Sequence, residues 1–511
     1  MAINNMHQPP SFFRASGRVA FATLLTRIAG MARDITVAHL FGANAALDAF
    51  FVAFKIPNFL RRLFAEGAFA QGLVPMLTHS EHPRELFQSL LAGVMLFGGV
   101  ITVFAEWSAP LWVHVFAPGF SHDAAQFSLT VYLFRITFPF LFFVLITALL
   151  SAALNVKYCF GWPALAPIWL NVATLFTAWF LTAHLAIPIS ALAWGIVSGG
   201  LLQVVFLLPL LKRMDWPLLP KLSTKMAEVW HVMANTTPGV VGVSIGQLGL
   251  VVDVIMASYL PAGSISWLFY ADRLVSLPLG LIGVAVSSAI LPYLSHYQTE
   301  NCPQAYQRTL DAGLRLILLL GLPAAIGLIL LSGPIITTVF QSGHFNAYDV
   351  QQAHTCLAAF AYGLPGIMII KVFVSAINAR EQFAIPCIAA LISLTLNVVL
   401  GLLLMRHYAH VGLAYATTAA VWLNAILIGI YCFRQLGLGW LLAWRWFILR
   451  LLLAVLVMVI WLWWWSPPLA IWMNLPYIVR WGHLLMLIFS AVFAYAVTLF
   501  IVGMRKQHIK L

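Results

Sequence analysis

Charge is what this sequence lacks. Only 8% of its 511 residues are Asp, Glu, Lys or Arg, against about 25% in soluble domains. With 62% apolar residues and a mean hydropathy of +0.95, there is too little polar surface for a string of water-soluble domains. Cysteine is scarce too. The five present, Cys159, Cys302, Cys356, Cys387 and Cys432, lie far apart with no CxxC or Cys/His spacing, so neither a disulfide framework nor a zinc site is expected. Runs of five or more basic residues interleaved with aromatics are missing, which removes nucleic acid as a partner. The phosphate loop GxxxxGK[ST], HExxH and GxSxG are missing as well, so no catalytic residue and no enzyme activity are expected.

What is present is apolar sequence almost without pause from Phe12 to Met504. An α-helical span needs about 20 such residues. Apolar windows between Pro, Gly and polar breaks give fourteen spans, near 17–40, 48–78, 86–116, 127–154, 163–183, 188–211, 227–259, 266–297, 304–331, 350–378, 384–405, 411–433, 446–465 and 478–503. The fold class is an all-α polytopic membrane protein. Arg14 and Arg18 come before the apolar stretch of the first span, which contains Arg27 and has no small-residue cleavage site, so it reads as a retained helix. An even count puts both termini on one side. Placing them in the cytoplasm gives the inside loops and tails Arg14, Arg18, Arg84, Lys157, Lys212, Arg213, Lys221, Lys225, Arg308, Arg380, Arg434, Arg445, Arg505, Lys506 and Lys510, and leaves outside only Arg406, with Arg480 at a span's edge. That bias follows the positive-inside rule.

The charged break from Lys212 to Glu228 falls after the sixth span. Val74-Pro75-Met76-Leu77-Thr78-His79 ends span two and Leu291-Pro292-Tyr293-Leu294-Ser295-His296 ends span eight, while Asp34 and Asp253 occupy spans one and seven at nearly the same offset. These matches divide the chain into a six-helix lobe over 1–211, a cytoplasmic linker over 212–226, a second six-helix lobe over 227–434, and two further helices with a cytoplasmic tail over 435–511. Two pseudo-symmetric lobes predict a substrate site between them. Trp461 to Trp465, in the appended pair, read as an interfacial aromatic belt.

The charges at membrane depth are clustered. Arg27, Arg33, Asp34, Asp48, Lys55, Arg61, Arg62 and Glu66 crowd into spans one and two. At about 2.5–3.5 kcal/mol per central charge, eight facing lipid would cost on the order of 20 kcal/mol or more, so they must face protein or water. At 100° per residue Asp48, Lys55, Asn58, Arg62 and Glu66 fall within about 80° of one another and run roughly 27 Å along one face of span two. Pro57 is expected to bend that helix, and Arg61 falls off the stripe. Gly30 separates Arg27 from Arg33. In the second lobe Asp272 and Arg273 stand in span eight at a depth like that of Arg33. Two arginines from different lobes can clamp one anion bidentately, with Asp34 and Asp272 holding them. Asp253 and Asn397 are the candidate cation or proton site, against plain interhelical hydrogen bonding.

These residues carry a resemblance. Arg27-Ile28-Ala29-Gly30-Met31-Ala32-Arg33-Asp34, the run from Asp48 through Lys55-Ile56-Pro57-Asn58 and Arg61-Arg62 to Glu66-Gly67-Ala68-Phe69, and Tyr270-Ala271-Asp272-Arg273-Leu274 look like the MurJ (MviN) lipid II flippases of bacterial cell-wall synthesis, within the multidrug/oligosaccharidyl-lipid/polysaccharide exporter superfamily. The resemblance implies transfer of the undecaprenyl-pyrophosphate-linked disaccharide-pentapeptide from the inner to the outer leaflet of the cytoplasmic membrane, by alternating access around a cationic cavity. It implies that Arg27, Arg33 and Arg273 are cavity arginines, that Asp34 and Asp48 are their associated acids, and that Lys55, Asn58, Arg62 and Glu66 form the second-span stripe. It further implies lipid II, membrane lipids and the cell-wall synthesis machinery as partners of a monomer, no cofactor, and spans thirteen and fourteen as a groove for the lipid tail. Position 276 is Ser where some members carry an acid. Gly401 stands where an acid would complete a sodium site with Asp253 and Asn397, so membrane potential or protons compete with Na+ as the driving force. A flippase of another polyprenyl-linked oligosaccharide predicts the same cations; a drug or cation antiporter of the superfamily predicts an acidic cavity instead.

Overall fold

The computed structural model describes residues 12–64, 68–221, 248, 249, 251–436 and 444–504. Among them every regular element is helical. In chain order these are α1 (Phe12–Phe41), α2 (Ala45–Phe64), α3 (Ala68–His79), α4 (Pro83–Trp107), α5 (Ala109–Phe116), α6 (Ala124–Thr137), α7 (Pro139–Val156), α8 (Gly161–Leu165), α9 (Ile168–Phe180) and α10 (Ser190–Arg213), then α11 over 251–257. They continue as α12 (Ser264–Pro278), α13 (Val284–Thr299), α14 (Pro303–Leu330), α15 (Ser332–Phe340), α16 (Ala347–Ala361), α17 (Leu364–Asn378), α18 (Ala384–Leu436), α19 (Trp444–Trp465), α20 (Leu469–Asn474) and α21 (Tyr477–Ile501).

Ten of the described segments are long and apolar enough to cross a membrane. One of them, 384–435, is two helices meeting at Ala409 (φ 46°, ψ −130°), a backbone conformation that L-residues avoid. The first two spans fall outside that set of ten because of the charges they carry and the interruption after Phe64. Most of the seventh, 227–259, lies outside the described residues. Fourteen spans are compatible with these helices. Trp107, Trp179, Trp463 and Trp464 stand exposed near helix C-termini, as residues at a lipid–water interface do.

By their contacts the residues form two compact units, Met1–Gly263 and Ser264–Leu511. In the first, α10 packs on α6, α7 and α9, while α1 lies on α8 and α9 and α2 on α6 and α7. The close approach of α10 to α9 is built on Gly195 and Gly199. A Cβ on Gly195 would lie 2.7 Å from Thr174 Cα, and one on Gly199 2.7 Å from Leu170 Cα. This is small-residue packing of the kind membrane helices use where lipid supplies no hydrophobic drive.

Span eight is not a plain helix. After α12 the turn Leu279–Gly283 is π-helical, following Pro278 and adding a residue to the helix just past Asp272 and Arg273. Gly283 is buried there, and a Cβ on it would lie 3.2 Å from Met368 Cγ, a tight contact. In this unit α12 packs on α16, α14 on α13 and α17, and α17 on α18. The last two long helices, α19 and α21, pack on each other and on α14.

Candidate functional site

The charged stretch of the first unit resolves into distinct local arrangements. On α1, Arg33 and Asp34 are buried, 8% and 3% exposed, and paired. Arg33 Nε and Nη2 both donate to Asp34 Oδ1, at 3.0 and 2.7 Å. One carboxylate oxygen thus takes two donors, and the Nη1 corner of the guanidinium is left for another acceptor. Arg27, two turns earlier, is half-buried and makes no hydrogen bond or ion pair among the described residues. Between them Asn171 of α9 donates Nδ2 to the carbonyl of Thr26 at 3.2 Å. A Cβ on Gly30 would sit 3.7 Å from that Nδ2. Asn171, buried at membrane depth and unread in the sequence, holds α1 at the turn that separates the two cations.

On α2, Asp48 is 2% exposed and accepts from the backbone N–H of Gly263 at 2.6 Å. It thereby pins the turn that follows α11. Nearby in chain terms, Gly119 donates its N–H to Ser258 Oγ at 3.0 Å, and a Cβ on Gly119 would lie 2.3 Å from the Ser258 carbonyl oxygen. Lys55, Asn58 and Arg62 are half-buried. Arg61, expected off the stripe, is drawn to it: its Nε donates to Asn58 Oδ1 at 2.9 Å, because residues three apart are neighbours on a helix. Glu66 lies outside the described residues. Pro57 sits within α2 and has no N–H for the Ala53 carbonyl. Thr137 of α6, fully buried, brings a hydroxyl donor to that carbonyl at 3.2 Å, shared with the Phe134 carbonyl of its own helix at the same distance.

In the second unit Arg273 is half-buried with its guanidinium carbon 5.5 Å from the Phe269 ring centre. The expected pairing with Asp272 is not what holds it. Asp272 is exposed and makes no ion pair or hydrogen bond among the described residues, since neighbours on a helix diverge by 100° unless a long side chain doubles back as Arg33 does. Ser276 donates to the Arg273 carbonyl at 2.7 Å, an ordinary intrahelical bond. Lys371 of α17 is a further exposed ionisable group within a span; the signal that finds it is the rarity of lysine at such depth.

The two residues of the candidate cation site belong to different units. Asn397 is 4% exposed and accepts from Thr417 Oγ1 at 3.4 Å. Among the described residues no group of three His, Cys, Asp or Glu side chains is disposed to hold a metal ion.

The family profile described as "Lipid II flippase MurJ" matches residues 37–481. A Haemophilus influenzae protein named "Probable lipid II flippase MurJ" is 36% identical over 515 aligned positions, covering 95% of this chain and 99% of its own. A Burkholderia cenocepacia protein named "Lipid II flippase MurJ" is 36% identical over 451 positions, 84% of this chain and 86% of its own. Among solved structures, "Lipid II flippase MurJ, inward closed conformation" superposes with a TM-score of 0.79 at 25% identity, over 94% of this chain and 97% of that one. The inward-facing conformation of a multidrug resistance MATE family transporter of the MOP superfamily shares the fold at TM-score 0.67 and 11% identity, over 83% of this chain and 98% of that one. The chain is a multi-pass membrane protein and belongs to the MurJ family of lipid II flippases.

Proposed function

We propose that this chain carries lipid II from the inner to the outer leaflet of the bacterial cytoplasmic membrane by alternating access, with both termini in the cytoplasm. The observation that carries the reading is the state of the cations on α1 in a chain of this family. Arg27 makes no hydrogen bond or ion pair among the described residues, and Arg33 engages Asp34 through Nε and Nη2 alone. A buried cation excess asks for an anion, and a pyrophosphate provides one that guanidinium recognises bidentately. Arg273, Asp272 and the α2 group Asp48, Lys55, Asn58, Arg62 and Glu66 complete the residues assigned to the head group and its gating.

In this reading the protein breaks no covalent bond and needs no cofactor. It acts as a monomer alongside the cell-wall synthesis machinery. Its cycle is driven by membrane potential, protons or Na+; an Na+ route runs through Asp253 and Asn397.

The test uses cells whose own flippase is switched off and replaced by this chain, with an enzyme added outside that cleaves exposed lipid II head groups. Cleavage with the wild type and background levels with Arg273→Ala support lipid II transport through the cationic group. No cleavage despite normal amounts of wild-type protein in the membrane overturns lipid II as the cargo and favours another polyprenyl-linked glycan.

A further inference from the structure

The C-terminal pair α19 and α21 stands outside the sequence repeat, yet polar contacts at three heights tie it to the rest of the second unit. Near the start of α14, Asp311 Oδ1 accepts from Trp444 Nε1 at 2.5 Å. Its Oδ2 pairs with Arg315 Nε at 2.8 Å, and the Arg315 guanidinium lies over the Phe447 ring at 5.5 Å. Two turns further along α14, Tyr495 donates its hydroxyl to the Leu319 carbonyl at 2.7 Å. At the far end stands Arg480, 8% exposed. Its Nε donates to Leu475 O at 2.8 Å, Nη2 to Met473 O at 2.7 Å, and Nη1 to Gln341 O and Thr337 O at 3.3 and 3.4 Å.

The acceptors at Arg480 are all backbone carbonyls. Thr337 and Gln341 close α15, and Met473 and Leu475 close α20. A helix end presents carbonyls without donors and partial negative charge; Gln341, Met473 and Leu475 offer such carbonyls, while Thr337 O also accepts from the Gln341 N–H at 3.2 Å, so this guanidinium ties two helix ends together without a carboxylate. Beside these bonds the pair and α14 share an apolar cluster with residues such as Leu319, Leu451, Met458 and Leu484. Apolar contact between helices in lipid is weakly directional. Arg480 is the directional element at this end.

We propose that Arg480 ties α20 and α21 to α15 so that the C-terminal pair travels with the second unit as one body through the transport cycle, which makes Arg480 a positioning residue for transport. The proposal rests on the flippase reading.

Gly333 of α15 and Leu469 of α20 provide the test. A Cβ on Gly333 would lie 3.5 Å from Leu469 Cγ, so Gly333→Cys with Leu469→Cys is within disulfide reach. Copper phenanthroline closes the bond, dithiothreitol opens it, and mass spectrometry of digests counts it. The lock is expected to form readily and to leave external cleavage of lipid II at the wild-type rate. Arg480→Ala is expected to reach the membrane in normal amount, to slow formation of the lock and to lower lipid II exposure, each about tenfold. Closing the lock in the Arg480→Ala background should restore exposure. Arrest of transport by the lock alone overturns the proposal, because the pair must then move against α15. Full transport by Arg480→Ala, or no rescue by a closed lock, overturns it as well. Should Arg480→Ala fail to accumulate, the lock in the wild-type background decides by itself. The lock's rate of formation is read without substrate, and a wild-type arm that exposes no lipid II marks failure of the flippase reading instead.

Discussion

Thr137 holds its hydroxyl 3.2 Å from the Ala53 carbonyl and 3.2 Å from the Phe134 carbonyl of its own helix, and the bond to Ala53 fills on α2 the place that Pro57 leaves without a backbone donor. The proline in the middle of the charged helix is therefore compensated from α6, and α2 stays helical from Ala45 to Phe64. Thr137→Val removes the donor and leaves a buried carbonyl unpaired, a loss of about 1–3 kcal/mol. It should lower the melting temperature in detergent, whereas Thr137→Ser should not. In a Pro57→Ala background residue 57 regains its N–H, so Thr137→Val should cost less there. Equal cost in both backgrounds would refute the compensation.

Arg33→Ala takes two donors away from Asp34 and, in the proposed reading, removes one group that binds the pyrophosphate. We expect lipid II exposure to fall to background while the protein remains in the membrane in near-normal amount. Arg273→Ala should behave alike, and Ser276→Ala should transport normally because that hydroxyl bonds only the carbonyl one turn back. Growth of cells relying on Arg33→Ala or Arg273→Ala at the wild-type rate would end the cationic assignment.

Asn171→Leu removes the hydrogen bond to Thr26 and puts an apolar side chain against α1 between Arg27 and Arg33. Transport should drop by roughly the tenfold that about 1.4 kcal/mol represents. Gly30→Ala is the control. Its new methyl would meet Asn171 at 3.7 Å, an ordinary contact, so transport should persist. A larger loss from Gly30→Ala than from Asn171→Leu would show that backbone freedom at Gly30, not the Asn171 bond, is what α1 needs.

Two glycines should respond oppositely to alanine. A Cβ on Gly195 would lie 2.3 Å from Thr177 Oγ1 and 2.7 Å from Thr174 Cα, so Gly195→Ala must push α9 from α10 at about 1–3 kcal/mol. Gly99 has no heavy atom within 4 Å of that position, and alanine there gains helix propensity of about 0.5–1 kcal/mol. Thermal unfolding in detergent separates them: Gly195→Ala falls, Gly99→Ala holds or rises.

Much of the site could be read along the chain. Arg33 and Asp34 are adjacent charges in an apolar helix, and a long guanidinium can fold back on its neighbour, so the pair was legible. The same logic applied to Asp272 and Arg273 misleads, because Arg273 turns to the Phe269 ring instead. Arg61 was misplaced by a helical wheel that ignores side-chain length. The partner of Asp48 was not legible either: it is a backbone N–H at Gly263, and every residue but proline carries one.

Composition and period alone fix that the chain lives in a membrane, that it is all-helical, and that cations outnumber acids in its first two spans. Those properties are local or additive: apolar length, helical period and charge count need no knowledge of distant residues. Only the tertiary structure decided which charges are spoken for. Asp34 is engaged while Asp272 is not, Asn171 reaches Thr26, and Arg480, read from the chain as a charge at a span's edge, closes two helix ends. Hydrogen-bond partners depend on which backbones approach within about 3 Å, and that is settled by packing among helices far apart in sequence.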